Sequence, residues 1–130
     1  LALASWLWGS GGQGPIPGDF WESWAEKSPD GIIVTDADLR VLYVNPAYQR
    51  LTGYSLDEWI GSVPKMVASG KTPPDVYEDM WSSIERDGVW VGEVINRRPS
   101  GEEWVAHLRI TKIEDREGRL LGYIGLALEA

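Results

Sequence analysis

No cysteine occurs in the 130 residues. That excludes a disulfide scaffold, a thiolate nucleophile and a cysteine-ligated metal or iron–sulfur site. Histidine is nearly as scarce, with His107 the single example. No histidine–nucleophile pair, phosphate-binding loop or HExxH motif is present, so no enzyme is read from the chain. Positive charge is also short: 12 Lys and Arg stand against 20 Asp and Glu, for a net charge of -8. The densest basic group is only Arg97 and Arg98, a poor match to a phosphate backbone, and no nucleic-acid partner is expected. Long apolar runs are missing too. Leu1–Trp8 is apolar but short and lacks a basic lead-in, so it does not read as a signal peptide. It reads either as the end of an upstream membrane segment or as a linker flank.

What is present is the composition of one folded domain. The apolar fraction is 43%, and eight tryptophans are enough aromatic mass for a substantial core. Residues 1–18 end in the glycine-rich stretch GSGGQGPIPG and read as a flexible flank, so the folded body is expected over 19–130. Asp19 is placed to cap a helix over Phe20–Lys27. Gly31–Asp36 and Val41–Asn45 are apolar runs around a short turn, which is a hairpin pattern. Pro46 opens a short helix that Gly53 stops. Ser55 and Glu58 form a capping box for another over Leu56–Ile60.

Val63–Lys71 lacks a clear period and reads as a loop or a single helical turn. Thr72, Pro73, Pro74 and Asp75 then form a helix start, and Val76, Met80 and Ile84 set one apolar stripe that runs to Gly88. Beyond Gly88 the chain is strand-like: Val89–Arg97, a strand carrying Trp104, Ala106, Leu108 and Ile110 on one side, and Arg119–Leu128. Five antiparallel strands with several short helices on one face give an α+β fold. The carboxylates form no motif-set pair. Asp75, Glu78 and Asp79 crowd the start of a helix, where negative charge offsets the dipole.

The order of elements and three phrases, SPDGIIVTDADLRVLYVNPAYQRLTGYSLDEWIG, WSSIERDGVWVGEVINRRPSGEEW and GRLLGYIG, resemble the PAS superfamily of bacterial sensory domains. The segments SGKTPPDVYEDMW and WVGEVINRR are similar to the FAD-binding PAS domains of nitrogen-fixation regulators. The resemblance implies a PAS fold with strand order 2-1-5-4-3, and a sensory and signal-transduction role in a larger bacterial regulator. It implies a homodimer, an output domain of kinase or cyclic-dinucleotide type, and a cytoplasmic location. FAD serving redox sensing is the cofactor it implies. The alternative is a ligand-free module for dimerisation and relay. The Asp-Ile-Thr linkage common in the family is replaced here by Leu128-Glu129-Ala130.

Six residues are candidates to line a flavin site. Trp90 shares a strand side with Gly92, Val94 and Asn96. A glycine beside a tryptophan leaves room for a flat ring, and the Asn96 amide suits the mixed donor–acceptor edge of an isoalloxazine. The other reading puts Trp90 in the core and Asn96 at a strand-end turn. Asn45 is a helix cap or a cofactor neighbour, and Tyr48 and Tyr54 are core rings or pocket walls. His107 falls on the strand side away from the core. The long helix carries no histidine, so the usual axial haem ligand is missing, and Met66 and Met80 are weak substitutes. No metal is expected. Without cysteine, flavin photochemistry through a cysteine adduct is excluded. The outer sheet face, expected to carry Val91, Ile95, Tyr123 and Ala127, reads as a contact surface for Phe20, Trp21 and Trp24, either of a second copy or of the same chain.

Overall fold

The structure is a computed structural model that describes residues 16–130. The opening Leu1–Trp8 and most of the flank 1–18 lie outside the described residues. Helix α1 (Phe20–Lys27) leads into strands β1 (Gly31–Asp36) and β2 (Val41–Val44). Helices α2 (Pro46–Thr52) and α3 (Leu56–Trp59), a 3-10 turn (Pro64–Val67) and helix α4 (Pro74–Asp87) follow. Strands β3 (Val89–Arg97), β4 (Glu103–Glu114) and β5 (Leu120–Glu129) complete one antiparallel sheet in the order β2-β1-β5-β4-β3. No described helix is long and apolar enough to cross a membrane.

Local signals account for most boundaries. Asp36 Oδ1 accepts from the N–H groups of Asp38 and Arg40, both at 2.9 Å, and closes the β1–β2 turn. Pro46 stands in the first turn of α2, and Gly53 at φ 81 ends it. The Ser55–Glu58 capping box is formed in both directions. Met80 and Ile84 bury the apolar stripe of α4. Two expected caps differ. Asp19 makes no side-chain capping bond. Thr72 does not cap α4 either, because its Oγ1 accepts from Ile95 N at 2.8 Å. A neighbouring strand edge with an unpaired N–H has claimed that oxygen.

The two sheet faces follow from register. Gly31 pairs with Ala127, and Ala127 with Leu108. Ile33 pairs with Gly125, and Gly125 with Ile110. These face the helices α2–α4, together with Trp90, Val94, Trp104 and Ala106. Ile32 and Val34 point the other way, where Ala25 and Trp21 of α1 pack on them beside Tyr43, Ile124 and Leu126. The chain's own N-terminal helix therefore covers part of the outer face. Tyr123 and Ala127 are not on that face, contrary to expectation. Ala127 is buried in the inner core, and Tyr123 meets Trp81 of α4 edge-on at 5.5 Å. Strand alternation says which residues share a side, but only pairing says which side is inside.

Candidate functional site

Asn45 is fully buried where α1, β1 and α2 meet, and all four of its hydrogen-bonding positions are filled. Oδ1 accepts from Ile32 N at 2.8 Å and Tyr48 N at 2.9 Å. Nδ2 donates to the carbonyls of Ala25 at 2.8 Å and Asp30 at 2.9 Å. The cap expected of Asn45 is present, but no donor or acceptor is left over for a ligand.

The interior between the sheet and helices has two halves. One holds Tyr48, Trp59, Val67 and Ile33, with Tyr54 against its edge. Tyr48 and Tyr54 both pack on Trp59, at 5.4 and 6.1 Å between ring centroids. Trp59 Nε1 donates to Thr52 Oγ1 at 3.2 Å. Burial pushes the Tyr48 phenol well above its ordinary range, which favours a neutral ring at any physiological pH. The other half holds Trp90, Trp104, Met80, Ile84 and Val94, and Leu51 and Leu108 bridge the two.

Trp90 and Gly92 do sit together, but not as expected. The Trp90 indole lies over Gly92: a Cβ built there would come within 2.6 Å of Trp90 Cη2. The slot read as room for a flat ligand is therefore filled by the neighbouring tryptophan. Its Nε1 donates to Asp79 Oδ2 on α4 at 3.0 Å, which fixes the ring in that pose.

The inner end of β3 is different. Asn96 is buried, yet its carboxamide has no hydrogen-bond partner among the described residues. Directly across the ladder stands Trp104, whose buried Nε1 is also unpartnered. Buried polar groups are normally satisfied, and the unpartnered Trp104 Nε1 beside the free Asn96 carboxamide marks a place where a polar ligand edge fits. A flat heterocycle with carbonyl and imide groups has the donor and acceptor set these two would complete. Trp104 was read only as core. Its position opposite Asn96 follows once the Ser100–Gly101 turn sets the register, and that was the signal to follow.

The rim of this end is also built. The segment after the 3-10 turn straps the edge of β3. Ala68 bridges Asn96, Ser69 Oγ donates to Ile95 O at 2.6 Å, and Thr72 takes Ile95 N. His107 lies on the outer face with Nδ1 3.7 Å from Glu93, remote from Asn96. Among the described residues no cluster of His, Asp and Glu is arranged to hold a metal ion.

A family model described as PAS fold matches residues 19–129. The chain is 34% identical over 110 residues to a nitrogen fixation regulatory protein of Klebsiella oxytoca, covering 85% of this chain and 22% of that one. It thus spans about a fifth of that relative's length. A PAS domain from Colwellia psychrerythraea superposes with a TM-score of 0.78 at 21% identity, over 85% of this chain and 93% of that one. A light-oxygen-voltage domain solved with a flavin analogue gives a TM-score of 0.72 at 23% identity, over 78% and 77% of the two chains. With the sheet order, the helix-covered inner face and these likenesses together, the chain belongs to the PAS family of sensory, signal-transducing domains.

Proposed function

We propose that this domain is a ligand-binding sensor whose interior takes a flavin, FAD, at the Asn96–Trp104 end. The observation that carries the reading is the buried, unpartnered Trp104 Nε1 there, directly across the ladder from Asn96, whose side chain makes no hydrogen bond among the described residues. Likeness to the nitrogen-fixation regulator and to the domain solved with a flavin analogue supports the cofactor class. In this reading Asn96 binds the polar edge of the ring, while Tyr48, Tyr54 and Trp90 bound the space around it. Gly92 serves by letting Trp90 lie flat, and Asn45 serves by holding α2 in place. A bound flavin supplies reversible redox chemistry with proton uptake at the ring. The protein's own groups orient the ring and exclude water.

The test is refolding with FAD, desalting, and reading the absorbance of retained flavin. The native chain should retain it. Asn96→Ala should keep its fold and bind roughly two- to tenfold more weakly, the value of one neutral hydrogen bond. A chain that retains no flavin would favour the ligand-free relay reading. One observation already favours that second reading: the Trp90 ring occupies the space above Gly92.

The domain acts as a homodimer in this proposal, within a longer cytoplasmic regulator that carries a separate output domain. Val91, Val105 and Leu128 remain exposed on the outer sheet face beyond α1, and Phe20 and Trp24 stand out from α1 itself. Apolar groups gathered this way favour a covered surface. Light scattering should give twice the chain mass, falling to a single mass in Val91→Glu. A single mass for the native chain at high concentration would overturn the dimer.

A further inference from the structure

Residues 68–72, between the 3-10 turn and α4, lie along the edge of β3 as a strap. Ala68 bridges Asn96, and Ser69 N donates to Ile95 O at 3.3 Å. The remaining ties are made by side chains. Ser69 Oγ donates to Ile95 O at 2.6 Å, and Thr72 Oγ1 accepts from Ile95 N at 2.8 Å. Arg97 Nη2 donates to Ser69 O at 3.2 Å and to Glu103 at 3.1 Å, while Lys71 Nζ meets the other Glu103 oxygen at 3.1 Å. Glu103 thus grips the strap on both sides of Gly70, directly at Lys71 and through Arg97 at Ser69. Hydrogen bonds from Lys71 and then Arg97 hold its carboxyl below the ordinary range, which keeps it charged at neutral pH.

The strap can lift without disturbing the sheet. The β3–β4 ladder runs from Val89↔Thr111 to Arg97↔Glu103 and uses none of the strap's groups. Gly70, at φ 81, turns the chain in open space, where a Cβ would meet nothing within 4 Å. Val67 anchors the near end in the core, and Pro73 and Pro74 start α4 at the far end. A short segment pinned at both ends, and joined between them by side-chain bonds and partly exposed ion pairs, opens locally at small cost. Arg97 and Glu103 pair one step along the ladder from Asn96 and Trp104. The grip therefore stands beside the buried, unpartnered Trp104 Nε1.

We propose that residues 68–72 form a gate over the Asn96–Trp104 end of the interior, and that Glu103 is the lock that sets how often it opens to solvent and ligand. With the strap lifted, Ile95 N and O lose their outer partners, and the edge of β3 beside Asn96 is open. That a ligand passes this way rests on the reading above; that water does so is independent of it. Neutralising Glu103 removes both ion pairs and leaves the Ser69 and Thr72 bonds in place, so the gate still closes but opens more often.

Hydrogen exchange of indole and backbone N–H groups, read by NMR on the chain without ligand, tests the gate. Trp104 Nε1–H is buried and bonded to nothing, so its exchange reports the arrival of water and not the rupture of a hydrogen bond. Glu103→Gln should speed it roughly two- to fivefold, the range open to lost, partly exposed ion pairs. Ile95 N–H, held by Thr72, should speed by the same factor, because one opening frees both. Trp59 Nε1–H, bonded to Thr52 in the other half, and the amides of Gly31–Asp36 should not change. Lys71→Met should act in the same direction, and the double variant should be no faster than Glu103→Gln alone, since both break one lock. A change at Ile95 with none at Trp104 would show that the strap guards nothing, and an equal rise at Trp59 would mean general loosening. Either result would overturn the proposal, as would no change at all. Flavin enters none of these readings, so a chain that fails to retain FAD and still shows them loses the cofactor and keeps the gate.

Discussion

Asn45→Ala should destabilise the domain by about 4 kcal/mol, since it strips partners from several buried backbone groups, each worth about 1–3 kcal/mol. The residue is fully buried, and its amide bonds to Ile32 N, Tyr48 N, Ala25 O and Asp30 O. Those four groups belong to α1, the loop after it, β1 and the first turn of α2. Alanine leaves the N–H groups of Ile32 and Tyr48 and the carbonyl of Asp30 without the partner Asn45 gave them, while Ala25 O keeps only Ser28 N at 3.3 Å. A water entering the space would recover part of the loss, which is why the figure falls below the simple sum. Asn45→Asp separates the contributions. It keeps an acceptor for Ile32 and Tyr48 but sets a carboxylate against the carbonyls of Ala25 and Asp30, so it too should be strongly destabilising. Chemical denaturation measures both. A loss under about 1 kcal/mol for Asn45→Ala, the ordinary value of one net hydrogen bond, would show that the side chain does not tie these elements together.

Trp104→Ala and Trp81→Ala should differ in size, although both rings lie on apolar stripes in the sequence. Trp104 is 5% exposed, within the cluster of Met80, Ile84, Trp90 and Val94. Its removal should cost about 3–5 kcal/mol, as for other buried large aromatics. Trp81 is 39% exposed on α4 and keeps mainly its edge contact with Tyr123. Its removal should cost about 1–2 kcal/mol, in proportion to the apolar area it hides. Denaturation midpoints compared at equal slope give the difference. Equal losses would place Trp81 deeper in the core than the geometry has it.

The contrast between those two tryptophans shows how far periodicity reaches. Val76, Met80 and Ile84 mark the inward stripe of α4, and Met80 and Ile84 are buried as that spacing implies. Trp81 adjoins the stripe, and its burial depends on how far β5 reaches beneath the helix. The same limit applies to Tyr123 and Ala127. Alternation along β5 put them on one side, and only pairing with β1 and β4 made it the inner side. Glycines at 122 and 125 weaken the apolar alternation that would have distinguished the two faces.

At the candidate site the legible part was residue type and strand side. Asn96, Gly92 and Trp90 do share the inner face of β3, as their spacing required. The pose of Trp90 was not legible, because it is set by Asp79 eleven positions earlier on another element. The four partners of Asn45 were legible only in part. The bond to Tyr48 N is a local cap, while those to Ala25 and Asp30 reach back 20 and 15 residues.

The sequence by itself determined the elements, their order and their stops, since proline, glycine, capping side chains and apolar spacing act within one or two turns of chain. Strand order came through family resemblance, which draws on the same phrases. Only the tertiary structure decided which face of β5 is inside, that the space beside Gly92 is filled, that Thr72 serves β3 and not α4, and that Asn96 and Trp104 face each other without partners. Each of these depends on groups brought together from distant parts of the chain. A side chain takes the nearest unsatisfied donor or acceptor in space, and sequence spacing does not record where that will be.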